Sequence, residues 1–423
     1  MTGSQKTRDM LGRDQLTQVS EARQRLLSEL KAIIPPQETV ELVQALGRIS
    51  SQDITAPEDL PNTDRSTMDG YAVIAADTFG ASQSLPAYLD ITGEVFMGMM
   101  PEGAIHRGSC YKIPTGGILP EGADGVVMHE HTVPVDEKLI EVVKGIGSGT
   151  NVIRKGDDIR FGDLAIAAGR RLRAQELGLL AGLGIAEISV FKKIRIGIVS
   201  TGDEIIDFKA PIAPGKIRNI NSIVLSGLIN QCGVEVVDYG IVADDESIFF
   251  STIEKAVNET ELVLFSGGSS VGMRDLGEQA IERMGQPGIL VHGVSLKPGK
   301  PVIIGLCEHT PIFGLPGHPV SAMVCFDLFV RPAISALSGF PLDSTDFQAV
   351  VQARLMRNIN SAAGRLDVIR VQLVEEEDTL LAYPLLGRSG AISTLSKAQG
   401  YFFIKEDSQG VNQEELVEVY LYQ

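Results

Sequence analysis

Between Ile194 and Gly339, short apolar runs rich in β-branched residues alternate with longer runs of helical character. The first kind includes IRIGIVS, VEVVDYGIV, ELVLFSGG and TPIFGLPG, and the second includes SIVLSGLINQCG, ESIFFSTIEKAVN and VSAMVCFDLFV. Strands and helices that alternate in this way are typical of a parallel sheet wrapped by helices. The pattern therefore predicts a doubly wound α/β domain in this region.

The chain before this region follows other patterns. Near the amino end the spacing predicts a helix that is capped by Ser20 and stops at Pro35, followed by a second helix over Thr39 to Ala45. From about 53 to 141, short β-like runs punctuated by glycine and proline predict a small β domain. A helix over Gln175 to Leu183 is expected to return to the N-terminal helices, which would make the first domain discontinuous.

The last part of the chain, from Asp346 to Gln423, has strand patterns again, for instance in VVQARLM, DVIRVQLV and LVEVYLY. We predict a small β barrel or sandwich there. Together with the preceding regions, this makes the expected fold class a multidomain α/β plus β protein.

Length, composition and charge narrow the class of protein. A chain of 423 residues is long enough for three or four domains, and 44% hydrophobic with 22% charged residues is a globular composition. No apolar signal core or membrane-spanning stretch is evident, so we expect a cytoplasmic protein without a membrane partner. A net charge of −17 argues against a nucleic-acid partner. The four cysteines form no CxxC pair, which indicates buried thiols rather than disulfides or a zinc site.

The loops that follow the apolar runs carry the candidate chemistry, because ligands bind beyond the carboxyl ends of parallel strands. Four of the five loops contain glycine, and together they offer hydroxyls, carboxylates and two lysines, the outline of a phosphate and oxyanion site. Taken singly, each is more often a tight turn, a helix cap or a solvated lysine. The loops are Thr201 to Glu204, Ala243 to Glu246, Gly267 to Gly272, Lys297 to Pro301 and Leu315 to Ser321.

Carboxylates beside such loops commonly hold Mg²⁺ on a substrate's phosphates, and Glu204, Asp244 and Asp275 are the candidates for this metal site. His129 and His131 would share one face of a strand, but no third ligand is evident, so we assign no zinc site. The sequence contains no G-x-S-x-G elbow, Walker A loop or G-x-G-x-x-G fingerprint, which weakens the hydrolase, P-loop and dinucleotide-binding interpretations.

At these loops the sequence closely resembles the MoeA family of molybdopterin molybdotransferases, which includes the C-terminal domain of gephyrin. The resemblance covers nearly the whole chain, and its motifs occur in order. They are GRISSQDI at Gly47, DRSTMDGYAV at Asp64, IPTGGILPEGADGVVM at Ile113, RKGDDI at Arg154, STGDE at Ser200, SGGSSVG at Ser266, KPGKP at Lys297, GLPGHPVSA at Gly314 and GRLD at Gly364.

The resemblance implies a fold of four domains. These are an elongated N-terminal domain (1–52 and 142–190), an inserted β domain (53–141), a MogA-like, molybdopterin-binding α/β domain (191–340) and a C-terminal β barrel (341–423). It also implies a homodimer whose active site lies between the α/β domain of one subunit and the N-terminal domains of the other. The implied reaction inserts molybdate into adenylylated molybdopterin, releases AMP and uses Mg²⁺. The protein partners to consider are the molybdopterin adenylyltransferase and downstream maturation proteins.

By similarity, functional roles carry over to particular residues of this chain. The catalytic set is Asp69, Thr115, Asp158, Glu204, Asp244, Asp275 and Lys297. The pterin and phosphate set is Ser200, Thr201, Gly202, Asp203, Ser266, Gly267, Gly268, Ser269, Ser270, Pro316 and Gly317. The molybdate set is Lys297, Lys300, Pro301, Ser321, Arg365 and Ser389, with Ser389 preferred over Ser393. Because the net charge would repel an anion, we also expect Arg388 to join the lysines and Arg365 in a locally basic pocket.

Four positions depart from the family pattern. Gly293 stands where many members have lysine, His318 replaces a frequent asparagine, Ser269 a frequent valine, and RKGDDI a more basic run. The missing lysine leaves open how tightly terminal phosphates are held and which oxyanion is preferred.

Rival interpretations are adenylyl transfer on a similar α/β domain, a paralogue that serves tungstate, and a scaffold protein. A scaffold role would favour an appended domain and a flexible linker, and the sequence shows neither.

Overall fold

The computed structural model describes residues 16–267, 271–340, 349–387 and 390–422, with the backbone alone for 271–274. The chain forms two compact units. The larger unit comprises Met1–Glu38, Gly47–Ser51 and Val190–Gln423, and the smaller unit comprises Thr39–Leu46 and Gln52–Ser189. The four domain boundaries implied by the resemblance remain a prediction.

The helices and strands of the described residues have the following bounds. The α-helices are α1 Val19–Leu30, α2 Ala174–Gly182, α3 Asn221–Gln231, α4 Glu246–Glu259, α5 Val271–Met284, α6 Pro319–Cys325, α7 Arg331–Leu337 and α8 Ile392–Lys397. The first strands are β1 Gln37–Glu41, β2 Ile54–Thr55, β3 Arg65–Ser66, β4 Gly70–Val73, β5 Ala87–Glu94, β6 Ser109–Ile113, β7 Gly125–Met128, β8 Thr132–Pro134, β9 Leu139–Val142, β10 Val152–Ile153, β11 Leu164–Ile166 and β12 Glu187–Phe191. Next come β13 Arg195–Thr201, β14 Ile205–Ile206, β15 Ile217–Arg218, β16 Glu235–Val242, β17 Leu262–Gly267, β18 Pro287–His292, β19 Leu296–Lys297, β20 Ile303–Cys307 and β21 Thr310–Leu315. The last are β22 Val350–Leu355, β23 Ile359–Asn360, β24 Leu366–Glu376, β25 Thr379–Pro384, β26 Gly400–Ile404, β27 Gly410–Val411 and β28 Leu416–Leu421.

The larger unit is built on a six-stranded sheet in the order β16-β13-β17-β21-β20-β18. Strands β16, β13, β17 and β21 are mutually parallel, whereas β20 runs antiparallel to both of its neighbours. Side chains alternate between the two faces, so Ile196 and Ile198 join one apolar core while Val199 joins another. The predicted doubly wound α/β domain is confirmed.

Helices cover both faces of this sheet. Residues of α1, α3, α6 and α7 complete the first core, in which Phe313, Phe326 and Phe329 are fully buried. Residues of α4 and α5 complete the second core around Phe249. Because strands buried on both faces need apolar side chains in both directions, the β13 and β17 sequences are nearly continuous hydrophobic runs.

The strands that follow the α/β sheet close into a barrel. The order β24-β25-β22-β28-β26 is completed by an additional pairing of β24 with β26. The strand pattern predicted a barrel or a sandwich, and the structure shows the closed barrel. Strand β19 joins this barrel by pairing in parallel with β24, with Lys297 opposite Asp367.

The smaller unit contains a second six-stranded sheet in the order β7-β4-β6-β5-β9-β8. Apolar cores lie on its two faces, one around Val73 and Val127 and one around Ala72 and Val126. The β structure predicted between about residues 53 and 141 is confirmed by this sheet. Helix α2 covers the predicted position to within one residue at each end.

Two of the sequence-based local predictions differ from the structure. The helix predicted over Thr39 to Ala45 is wrong, because this segment forms β1 and a single 3-10 turn, Leu42–Gln44. The burial of β1 alternates and it pairs with β12, so a sheet partner outweighs weak local helix propensity. Helix α1 begins at Val19 after Gln18 without a side-chain cap, so Ser20 lies inside the helix.

One helical run is long and apolar enough to cross a membrane by length and composition alone. It extends over Pro319–Leu337, and 72% of its apolar window is buried within the protein. A π-helical turn, Phe326–Val330, joins its two α-helical parts, and its apolar side chains belong to the first core of the α/β sheet. This burial is that of a core helix.

We predict that Glu176 makes stability pH-dependent. Its buried carboxylate bonds the Arg173 and Arg170 side chains and the Arg173 N–H, and the Arg173 hydrogen bonds lower its pKa to about 2. A lowered folded-state pKa stabilises the fold above the unfolded value near 4.5, and this stabilisation is lost as pH falls towards 2. The free energies of unfolding of wild type and Glu176→Gln, measured with urea, should therefore differ at pH 6 and converge near pH 2. A constant difference would contradict the assignment.

We also predict that Gly267→Ala is strongly destabilising, whereas Gly227→Ala is not. Gly267 has φ +143°, and a Cβ there would collide with the carbonyl oxygen of Thr201 on the neighbouring strand. Gly227 lies in α3 with nothing within 4 Å of an added methyl group, so alanine should stabilise by about 0.5 to 1 kcal/mol. Thermal unfolding of both variants measures the contrast. Equal melting temperatures would contradict it.

Candidate functional site

The carboxyl ends of the parallel strands meet at one edge of the α/β sheet. Thr201, the last residue of β13, is in register with Val242 of β16 and Gly267 of β17. Ser266 is opposite Leu315 at the end of β21. The loops after these strands therefore lie side by side, as predicted for an open parallel sheet.

The Lys297 to Pro301 segment reaches the same edge by a different route. It does not follow a parallel strand but precedes the antiparallel strand β20, whose first residue, Ile303, is opposite Gly314 of β21. Because β20 runs in the reverse direction, its amino end lies where the parallel strands have their carboxyl ends. Strand order, rather than the local motif, thus brings the lysines to the glycine loops.

A cavity of about 340 Å³, here called the sheet-edge cavity, opens among these loops. Its walls combine apolar side chains with backbone from two glycine loops and with polar groups at the start of α3. It includes five residues of the expected pterin and phosphate set. The lining residues that bear on function are Ser200, Glu204, Ile217, Arg218, Asn219, Asn221, Phe265, Ser266, Gly267, Pro316, Gly317 and His318.

Two asparagines hold the polar side of this cavity. Asn219 donates from Nδ2 to Ser200 Oγ at 2.9 Å and accepts from the Ser222 N–H through Oδ1. Asn221 donates to the carbonyl oxygen of Gly317 at 3.0 Å, and its buried Oδ1 has no hydrogen-bond partner in the described part of the chain. The sequence analysis missed both, although the NINS stretch that leads into the apolar helix α3 is a recognisable signal.

Three carboxylates cluster beside the sheet-edge cavity. The Asp244 N–H donates to Asp203 Oδ1 at 3.1 Å. The pKa of Asp244 is raised, chiefly by desolvation and further by the charges of Asp203 and Glu204. A cation placed here would relieve that repulsion. Asp275 is exposed on α5, and within the described residues no three His, Cys, Asp or Glu side chains form a ready-made metal site.

A second cavity of about 580 Å³, here called the basic cavity, lies beside the first. Pro301, Pro316 and His318 line both cavities. The basic cavity gathers five residues of the expected molybdate set, and the sixth, Ser389, lies outside the described residues. The five are Lys297, Lys300, Pro301, Ser321 and Arg365.

A buried carboxylate holds two of these cations. Arg365 donates from Nε to Asp367 Oδ1 at 2.7 Å and from Nη2 to Oδ2 at 3.3 Å. Lys297 Nζ lies 3.7 Å from Asp367 Oδ2. The side chain of Asp367 is only 2% exposed, whereas those of Arg365 and Lys297 are 36% and 61% exposed. Asp367 thus lies beneath two residues that line the cavity, and the sequence did not single it out, although it ends the GRLD motif.

The segment before α8 also reaches this region. Gly390 lines the sheet-edge cavity, and a Cβ on it would lie 3.8 Å from the His318 ring. Buried Arg370 holds the flanks of the segment by donating to Thr394 Oγ1 at 2.8 Å and to the Gly387 carbonyl at 3.4 Å. Arg388, expected in the basic pocket, lies outside the described residues, as do Gly268, Ser269 and Ser270.

Gly293, where many family members have lysine, adopts a left-handed backbone with φ +77°. A Cβ at this position would lie 3.0 Å from Leu16, which itself lines the basic cavity. Thr17 pairs with Val294 in the same place. An N-terminal backbone segment and an apolar side chain therefore occupy this side of the cavity.

In the smaller unit, Asp69 and Thr115 are brought together. Asp69 Oδ1 accepts the Thr115 N–H at 2.7 Å, and this bond is the main cause of a lowered Asp69 pKa. Both side chains are exposed, as is that of Asp158. His129 and His131 form a 3-10 turn rather than a strand, so the prediction of two rings on one strand face is wrong.

Three family models match successive parts of the chain. They are described as the MoeA N-terminal region (domain I and II), matching residues 17–184, a probable molybdopterin binding domain, matching 197–336, and the MoeA C-terminal region (domain IV), matching 352–422. Together they extend over almost all of the described residues.

Individual proteins are similar over nearly their full length. A putative molybdopterin biosynthesis protein of Methanocaldococcus jannaschii is 38% identical over 90% of this chain and 91% of its own length. A molybdopterin molybdenumtransferase of Haemophilus influenzae is 32% identical over 95% and 97%. The crystal structure of a molybdopterin biosynthesis MoeA protein from Pyrococcus horikoshii OT3 has a TM-score of 0.84 at 33% identity, covering 96% of this chain and all of that one. The chain therefore belongs to the MoeA family of molybdopterin molybdenumtransferases, transferases of molybdenum cofactor biosynthesis.

Proposed function

We propose that this protein transfers molybdenum from molybdate to adenylylated molybdopterin and releases AMP. The observation that carries the proposal is the pair of adjoining cavities with three residues in common. One cavity has apolar walls with a few polar groups, and the other gathers three cationic side chains. A reaction between a flat organic substrate and a small oxyanion needs two such sites in contact.

In this proposal the sheet-edge cavity takes the pterin and the start of its phosphate chain. Ile217 and Phe265 offer apolar surface for a ring, while Ser200, held by Asn219, can donate a hydrogen bond. Ser266, Gly267, Pro316 and Gly317 present backbone at close range to the phosphate side.

The basic cavity takes the tetrahedral oxyanion. Lys297 and Lys300 supply charge from the α/β domain, Arg365 supplies a rigid two-pronged donor from the barrel, and Ser321 supplies a neutral donor. Tungstate has the same charge and tetrahedral shape, so we expect it to compete for this cavity.

Mg²⁺ would be held by Asp244 and Glu204, with Asp275 as a further candidate and substrate phosphates completing its coordination. The raised pKa of Asp244 fits a site that a divalent cation would stabilise. When bound, the ion would neutralise phosphate charge during AMP release. The protein's own part is to orient the phosphate chain, with Asp203 held against the Asp244 N–H.

Adenylyl transfer is the rival activity. Adenylyl transfer would require a nucleotide to bind in the sheet-edge cavity. It would not require a second, cationic cavity to which the barrel contributes a residue. The contribution of Arg365 to the basic cavity therefore favours insertion.

We further infer a cytoplasmic homodimer in which Asp69, Thr115 and Asp158 serve the active site of the other subunit. Their exposure, and the hydrogen bond that fixes Asp69 to Thr115, suit residues that meet a ligand from outside the smaller unit. The molybdopterin adenylyltransferase is the expected donor of substrate, and downstream maturation proteins the expected acceptors of product.

The decisive experiment incubates purified protein with adenylylated molybdopterin, Mg²⁺ and either molybdate or tungstate. AMP release and metal incorporation are followed together. Coupled appearance of AMP and metal-loaded pterin is expected. AMP release without metal incorporation at any oxyanion concentration would contradict the proposal.

Arg365→Ala should raise the molybdate concentration needed for half-maximal rate by about 10-fold to 150-fold, because one charge-assisted contact is lost. Arg365→Lys should not restore it, since an ammonium group cannot reproduce the planar fork. The affinity for adenylylated molybdopterin should change little. If that affinity collapsed while the molybdate dependence stayed normal, Arg365 would be a phosphate ligand.

Asp244→Asn and Asp275→Asn should each raise the Mg²⁺ concentration needed for AMP release, because a neutral amide is a weaker magnesium ligand than a carboxylate. Pterin binding, measured by equilibrium dialysis, should be nearly unchanged. Asp238→Asn, on the strand that leads into the Asp244 loop, is the matched control. Wild-type Mg²⁺ dependence in both variants would count against the metal site.

A further inference from the structure

Asp367 is a buried carboxylate in contact with two cations that line the basic cavity, where an anion is expected to bind. By Coulomb's law it repels any oxyanion in the basic cavity, and burying it carries a desolvation cost. Its contacts must therefore supply something that offsets both effects. Among the described residues, its side-chain contacts are two hydrogen bonds from Arg365 and the approach of Lys297.

The cluster of Asp367, Arg365 and Lys297 is buried on its acidic side only. Both cations remain substantially exposed and line the basic cavity, while their shared carboxylate lies beneath them. In a purely structural ion pair such as Asp327 with Arg331, by contrast, both side chains are buried, at 3% and 7% exposure. The Asp367 cluster thus presents its positive ends outward.

Within the described residues, Asp367 engages only part of the Arg365 fork. Guanidinium has five N–H donors, and Asp367 engages Nε and Nη2 along one edge. Nη1 and the second hydrogen of Nη2 lie on the remaining edges of the same rigid plane. A carboxylate that holds one edge therefore fixes the direction of the others.

Backbone pairing fixes the position of Asp367 relative to Lys297. Lys297 of β19 is in register with Asp367 of β24, and the Leu366 N–H donates to the Ser295 carbonyl at 2.9 Å. One carboxylate can therefore orient a lysine from the α/β part and an arginine from the barrel together.

We propose that Asp367 is a positioning residue that preorganises Arg365 and Lys297 for a tetrahedral oxyanion. The identity of that oxyanion rests on the proposed function, but the positioning itself does not. Without Asp367 the two cations would repel each other and sample many rotamers, and the oxyanion would have to order them on binding.

The test measures oxyanion binding directly, with no pterin present. Full-length wild type and Asp367→Asn are dialysed against tungstate or molybdate, and bound metal is determined by elemental analysis. Asparagine keeps the size of the side chain and one acceptor but removes the charge. We expect affinity to fall by about 10-fold, the scale of a weakened charge-assisted contact.

Asp327→Asn is the control for loss of an ion pair. This substitution breaks a buried ion pair of the same unit, in which Asp327 Oδ1 lies 2.9 Å from Arg331 Nη2. Neither Asp327 nor Arg331 lines either cavity. It should lower the melting temperature while leaving oxyanion affinity unchanged. A double-mutant cycle combines Asp367→Asn with Arg365→Ala. In the Arg365→Ala background, Asp367→Asn should lower oxyanion affinity by only about 3-fold, because one of the two cations that Asp367 positions is gone.

The sign of the change separates the alternatives. If Asp367 only lowered the local charge, Asp367→Asn would bind oxyanions more tightly, and that result would overturn the proposal. Unchanged affinity, or an undiminished effect in the Arg365→Ala background, would also overturn it. If positioning held but no metal reached the pterin in the coupled assay, the proposed function would fail while this inference stood.

Discussion

The parallel pairing of β19 with β24 is the contact on which the basic cavity depends. It is only two residues long, yet it ties the lysine-bearing segment of the α/β region to the first long strand of the barrel. This pairing holds Lys297 beside the start of β24, which Arg365 immediately precedes. Because backbone hydrogen bonds set the register, the side chains of Lys297 and Asp367 meet at a defined position rather than through flexible reach.

Local charge differs from overall charge in this protein. The chain carries a formal charge of −17, but its basic cavity gathers three cationic side chains, two of which contact one buried carboxylate. Electrostatic attraction acts over about 8 Å at physiological salt, so a local cluster can attract an anion despite the negative net charge of the chain. The nearby group of Asp203, Glu204 and Asp244 has the opposite sign and suits a cation. Positive and negative sites thus lie on loops of the same sheet edge.

Several functional candidates could not have been found by reading motifs alone. The GRLD motif does not by itself give a role to Asp367, its last residue, and Arg370 is simply the one basic residue of strand β24. Their roles depend on what lies opposite them: Arg365 and Lys297 around Asp367, and Thr394 and the Gly387 carbonyl around Arg370. Asn219 and Asn221 differ, because a helix-start signal marks them even though their partners, Ser200 and Gly317, are distant in sequence.

The sequence by itself determined the alternation of strands and helices from Ile194 to Gly339, because hydrophobic period reports directly on which faces are buried. It also determined the family, through motifs spread along the chain. It did not determine that Thr39 to Glu41 belongs to a strand, because a short segment takes the structure of its partner, here β12. The strand pattern could not decide between barrel and sandwich, which only the resemblance did, since the β24 to β26 pairing that closes the barrel joins residues about thirty positions apart. The resemblance placed Lys297 and Arg365 in one set, but their shared contact with Asp367 was decided only by tertiary structure, because strand pairing and register create it.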